Sequence, residues 1–274
     1  MVRIVSLVEN TSVSPEYRSK HGLSLYVETE KHKILFDLGS NDFFAENAGK
    51  LNIDISKIDM VVISHGHKDH GGALRKFLSL NTTAKVYVRR QAFDGHYIKV
   101  LKIPFSVGLD KELMNNKQII FTDEKTIIDE ELILFSNVKL DKYFSKSNKV
   151  LYARKQGSIV KDDFEHEQSL IIKANGENIL ISGCSHAGIV NIQDKAEIIA
   201  NDRIGTVLGG FHLVNPPTKK YESNELIDSV AIALNAKNSK YYTCHCTGEK
   251  AYDRMKLVLG DRLNYLATGA EVIL

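Results

Sequence analysis

The sequence lacks a membrane span: nowhere in its 274 residues does an apolar run approach the roughly 20 positions needed to cross a bilayer. The apolar run at residues 1–8 meets Glu9 before it reaches the length of a signal-peptide core, so the cytoplasm is the expected compartment. Glycine (18) and proline (4) are too few for a collagen-like or low-complexity chain. Charge of one sign is lacking too. Lysine and arginine total 36 against 34 acids, and a net +2 gives no basic field for nucleic acid or an anionic membrane. Cysteine occurs only at Cys184, Cys244 and Cys246, an odd number that excludes a disulfide scaffold and suits free thiols. What is present, 43% apolar and 26% charged residues, describes a globular protein with a sizeable core. Each cysteine lies within two residues of a histidine, in Cys184-Ser185-His186 and Cys244-His245-Cys246, which is a first sign of metal chemistry.

Apolar and β-branched runs at 3–8, 23–27, 33–36, 60–63 and 85–88 predict strands, and helical spacing predicts helices over 42–50 and 72–80. A hairpin is expected where 169–173 turns at Asn175-Gly176 and returns through 179–181. Beyond it come an amphipathic helix over 189–200, a strand at 206–208, a helix over about 223–234, a strand at 241–243 and a final helix and strand. The polar segment at about 91–165 is less regular, with weak strands at 118–121 and 132–135, and reads as an insertion forming a lid or substrate wall. The expectation is one α/β domain over 1–274 carrying that insertion.

The segment that carries chemistry is Ser64-His65-Gly66-His67-Lys68-Asp69-His70-Gly71-Gly72, directly after an apolar strand and before a helix. Neutral imidazoles and a carboxylate suit Zn²⁺, Mn²⁺ or Fe²⁺, and a tight turn off a strand end lets closely spaced ligands converge. The bland alternative is a histidine-rich surface loop. His186, His212 and His245 also follow strands, so each is a candidate ligand; the alternative is a histidine held in a pocket wall. His21 stands in a loop before a strand and reads as a pocket residue. Arg89 and Arg90 could meet a substrate phosphate or form a solvated edge, and residues 162–168 could reach the site entrance or remain a charged loop.

The His-x-His-x-Asp-His pattern of His65, His67, Asp69 and His70 resembles the signature of the metallo-β-lactamase superfamily. Ile34-Leu35-Phe36-Asp37-Leu38-Gly39 resembles its strand-then-Asp-x-Gly element, which implies that Asp37 supports the ligand loop from behind. His21-Gly22-Leu23-Ser24, Gly183-Cys184-Ser185-His186, Gly209-Gly210-Phe211-His212-Leu213 and Cys244-His245-Cys246-Thr247-Gly248 are similar to the dihydropterin–ribofuranosylaminobenzene phosphate synthase-like subfamily, often described only as metal-dependent hydrolases.

The resemblance implies a four-layer αββα sandwich of two mixed sheets with metal at the sheet edge. It implies two zinc ions, or manganese or iron, held by His65, His67, Asp69, His70, His186, His212 and His245. Cys184 stands where many members carry a metal-bridging aspartate; it could ligate as thiolate or lie behind the ligands as a buried filler, the latter being favoured. An imidazole at His67, where the oxygen-reducing di-iron branch carries glutamate, disfavours redox chemistry, and Cys244-His245-Cys246 is not a Cys-x-x-Cys pair. Metal-activated water, with Asp69 as ligand or proton acceptor, would then hydrolyse a small phosphorylated or ester-like substrate. Two other readings stay open: condensation of dihydropterin diphosphate with ribofuranosylaminobenzene phosphate, and a metal-containing binding module without turnover. The expected partner is an anionic small molecule contacting His21, Arg89 and Arg90; a homodimer is allowed.

Overall fold

The computed structural model describes residues 1–101, 103–215 and 218–274. Its α/β chain divides into two compact units: Met1–Asp123 with Val150–Gln168 and Ala267–Leu274, and Glu124–Lys149 with Ser169–Leu266.

In the first unit a seven-stranded sheet runs in the order Glu271–Ile273, Arg3–Val8, Ser24–Glu28, Lys33–Phe36, Met60–Val62, Lys85–Arg89, Ile119–Thr122. The pairs are antiparallel as far as Lys33–Phe36 and parallel beyond it. Parallel strands are covered on both faces and read as continuous apolar runs, and Met60, Val61 and Val62 are all buried. Helices Phe43–Lys50 and Leu74–Leu80 place Phe44 and Phe77 in the same core as Leu35, Val61 and Val86. A separate antiparallel sheet orders Ser158–Lys161, Leu151–Lys155, His96–Val100 and Ile103–Ser106.

In the second unit the sheet order is Leu263–Tyr265, Lys240–Thr243, Thr206–Gly209, Glu177–Ile181, Gln168–Ala174, Leu132–Ser136, Lys125–Ile127. Its first four strands are mutually parallel. The Asn175-Gly176 hairpin forms as expected, with Ala174 opposite Glu177 and both turn residues at positive φ, 53° and 75°, as a two-residue primed turn requires. Helices Ile189–Ala200, Asn224–Ala236 and Glu249–Leu259 pack Ile192, Leu234 and Met255 around Tyr241 and Val207. Helix Asn224–Ala236 begins at Ser223, whose hydroxyl accepts the Leu226 amide.

The middle segment does more than extend the scaffold. It supplies Ile119–Thr122 to one large sheet, Lys125–Ile127 and Leu132–Ser136 to the other, and all four strands of the four-stranded sheet. Among the described residues no helix is long and apolar enough to cross a membrane.

Candidate metal centre

In the first unit the ligand loop leaves the end of Met60–Val62 and enters the short helix Lys68–Gly71. Its protons are placed by Asp37, a buried residue at φ 61°. Asp37 Oδ1 accepts the Ser64 amide at 2.7 Å, and Oδ2 accepts the Ser64 hydroxyl and His70 Nδ1, each at 2.6 Å. Having donated to the carboxylate, Ser64 Oγ accepts from His65 Nδ1 at 2.8 Å. Both rings therefore carry their proton on Nδ1, and Nε2 keeps the lone pair of a metal ligand. Charge-assisted bonds of this kind contribute about 1.5–3 kcal/mol each, enough to hold a buried non-glycine residue at positive φ.

The three imidazoles pack closely, with ring centroids 4.6 Å apart for His65 and His67 and 4.1 Å for His65 and His70. Burial, followed by the charges of His166 and His96, holds His67 well below the ordinary histidine range, so its ring is neutral. Asp69 Oδ2 lies 3.8 Å from His70 Nε2, where a carboxylate and a lone pair face one another, an arrangement a cation between them would reconcile. His21 Nε2 reaches the same oxygen at 3.1 Å, and its side chain is 43% exposed. His65, His67, Asp69 and His70 thus each offer a donor of the type that divalent metals accept.

Around His67 the fold assembles a group that the sequence hardly announced. His67, His96, Asp162 and His166 bring one ligand-type atom each to within 4.8 Å of one another. Asp162 Oδ2 lies 3.2 Å from His96 Nδ1 and 3.1 Å from His166 Nε2, while His166 Nδ1 accepts the Gly66 amide at 2.9 Å. His166 is thereby the Nε2-protonated tautomer, and it pins the backbone between His65 and His67. Burial alone would raise Asp162, but the charge of and hydrogen bond from His166, with that from His96, outweigh it and hold the carboxyl far below its ordinary range. Gly66 is required here because a Cβ would collide with the His96 ring and the Ala92 carbonyl. Asp162 and His166, four apart before a hairpin, offered a faint signal as part of the charged loop; His96 offered none.

In the second unit, loops after three adjacent parallel strands carry the expected histidines: His186 after Glu177–Ile181, His212 after Thr206–Gly209, His245 after Lys240–Thr243. Ligand-bearing loops collect at the carboxyl ends of parallel strands as a rule. Ser185, His212 and His245 take φ of 58°, 51° and 51°, left-handed backbone that non-glycine residues adopt only when held there. Asn148 donates to the His186 carbonyl at 2.8 Å and accepts from His186 Nδ1 at 3.0 Å, so this ring too keeps Nε2 as its lone-pair atom. No local pattern marked Asn148.

The His186 and His212 rings meet with centroids 4.2 Å apart and planes tilted by 59°. Both ring nitrogens of His212 are buried and meet no carbonyl or hydroxyl. Ligand atoms of Cys184, His212 and Cys246 lie within 4.8 Å of one another. Burial would raise the Cys246 thiol, yet favourable contacts with Cys184 and His212 and the charges of His245 and His212 hold it well below its ordinary value. None of the three cysteines is in a disulfide.

The two arginines of the basic pair are placed differently from one another, Arg89 buried and Arg90 exposed. Arg89 is buried and donates to the Thr122 and Glu165 carbonyls at 2.8 and 3.3 Å, and Arg90 lies over the Phe121 ring at 3.9 Å.

A family model described as the metallo-beta-lactamase superfamily matches residues 19–138. The 7,8-dihydropterin-6-methyl-4-(β-D-ribofuranosyl)-aminobenzene-5′-phosphate synthase of Methanocaldococcus jannaschii is 30% identical over 278 residues, 91% of this chain and 89% of that protein. An uncharacterized protein of the same organism is 28% identical over 256 residues, 93% of either chain. The crystal structure of Tm1679, described as a metal-dependent hydrolase of the beta-lactamase superfamily, matches with a TM-score of 0.85 at 32% identity, over 100% of this chain and 99% of that one. The chain belongs to the metallo-β-lactamase superfamily and has its α/β fold.

Proposed function

We propose that the protein is a metal-dependent hydrolase of a small phosphorylated or ester-like molecule. The observation that carries this reading is the proton placement by Asp37 and Ser64, which leaves His65 and His70 as lone-pair donors at Nε2 beside the Asp69 carboxylate. Divalent metal drawing on His65, His67, Asp69 and His70, as two zinc ions in preference to manganese or iron, would supply Lewis acidity and lower the pKa of water towards about 7. The chain's own part is to keep the ligands neutral and to orient Asp69, which His21 holds at 3.1 Å and which can receive a proton. The partly exposed His21 would meet an anionic substrate.

The test is a screen of chromogenic phosphodiesters, phosphomonoesters, thioesters and lactones, using chelated protein with Zn²⁺, Mn²⁺ or Fe²⁺ restored. Activity that returns with metal and falls roughly 100-fold or more in Asp69→Asn, the scale of a lost acid–base group, supports the proposal. Tight metal retention with no turnover of any substrate would favour a binding module instead.

The name of the 30%-identical relative favours a second reading, transfer between a pterin and an aminobenzene phosphate. Product analysis by mass spectrometry separates the two: condensation joins both substrates, whereas hydrolysis adds water to one.

A further inference from the structure

We propose that Cys184, His212 and Cys246 form a sulfur-containing ligand group for a thiophilic divalent metal such as zinc. Three observations within the second unit carry this. One ligand atom from each residue lies within 4.8 Å of the others, and all three side chains are buried. Donors around a tetrahedral zinc stand about 3.3–3.8 Å apart, given metal bonds of about 2.3 Å to sulfur and 2.0–2.1 Å to nitrogen, so only small side-chain adjustments close the group.

The second observation is His212 itself. It is 4% exposed, and its ring nitrogens meet no carbonyl or hydroxyl; the polar group beside them is the Cys246 sulfur. A histidine that merely filled space would turn a ring nitrogen to a carbonyl or hydroxyl, as His186 does with Asn148. A metal would satisfy one of those nitrogens.

The third is the backbone that makes room. Gly210 lies so close to Cys246 that a Cβ there would overlap its sulfur, and Cys246 Sγ stands 3.4 Å from the Cys184 carbonyl. The chain has given up a side chain at Gly210 so that this sulfur can approach, and His212 takes a left-handed φ of 51° two residues later. Two thiols and an imidazole are a donor set that selects zinc, or ferrous iron, over the hard cations magnesium and calcium.

The proposal does not rest on the hydrolase reading, since a sulfur-ligated metal can sit in a protein that turns nothing over. Zinc X-ray absorption on the full wild-type chain, loaded with zinc alone under reducing conditions, is the first test because it needs no variant. A sulfur shell at about 2.3 Å supports the site, and a shell of nitrogen and oxygen only overturns it. Cobalt loading provides the second. Wild type should show a near-ultraviolet sulfur-to-cobalt charge-transfer band that falls by about half in Cys246→Ser and vanishes in Cys184→Ser/Cys246→Ser, with two thiolates contributing. A band unchanged in the double variant would place the sulfur elsewhere and overturn the assignment. Asp69→Asn should lose hydrolysis while keeping the band, so the two proposals fail separately.

Discussion

Asp37 Oδ2 stands 2.6 Å from His70 Nδ1, both atoms belonging to fully buried side chains, and that contact decides which nitrogen of His70 is left for metal. The same oxygen takes the Ser64 hydroxyl and so sets the proton of His65 as well. One carboxylate thus prepares two ligands.

Asp37→Asn keeps the shape but removes the charge, and an amide nitrogen in place of Oδ2 would donate to His70 rather than accept from it. Metal affinity, measured by chelator competition, should fall about 10–100-fold with circular dichroism unchanged. An unaltered affinity would mean that Asp37 only braces the loop.

Metal itself should stabilise the fold, because the ligand set exists only in the folded chain. With free zinc at about 100 times its dissociation constant, linkage adds about 2.7 kcal/mol, visible as a higher urea midpoint than in chelated protein. Coincident unfolding curves with and without metal would contradict the assignment of His65, His67, Asp69 and His70.

Acid should weaken the metal-free protein in two stages. Burial first, then neighbouring positive charge, holds His67 and His166 below the ordinary value of 6.5, so they are neutral when folded and protonate on unfolding. Their contribution is present above pH 6.5 and is lost as pH falls below it. Asp162, held below 3.8, adds a further loss under more acidic conditions. Urea midpoints should decline from pH 7 to pH 5, and His166→Gln should flatten the slope; a midpoint that rises over this interval would refute the argument.

The neighbouring arginines should behave oppositely to a phosphate-binding pair. Arg89→Met strands the buried Thr122 carbonyl and should cost about 1–3 kcal/mol, whereas Arg90→Ala should stay within about 0.5 kcal/mol. Neither should raise KM for the best substrate found. A KM effect confined to Arg90 would restore it to the substrate contacts.

Much of the local structure was legible. The strands at 3–8 and 33–36 and the helix at 189–200 appear with the bounds their periodicity implies, and Asn175-Gly176 turns as its chemistry requires. The segment at 91–165 was legible only in part: the strands expected at 118–121 and 132–135 appear as Ile119–Thr122 and Leu132–Ser136, but the four-stranded sheet was not read, because its strands are short and His96–Val100 pairs with Leu151–Lys155 more than 50 residues along the chain. His96 shared no local pattern with the residues it meets.

The sequence by itself determined that His65, His67, Asp69 and His70 would gather at a strand end, because strand, turn and helix are set by neighbours a few positions away. Only the tertiary structure decided where their protons sit. Asp37 is 33 residues from His70, Asn148 is 38 from His186 and Gly66 is 100 from His166. A hydrogen bond needs its donor and acceptor within a few tenths of an ångström of the right separation, and across such distances along the chain only folding fixes that.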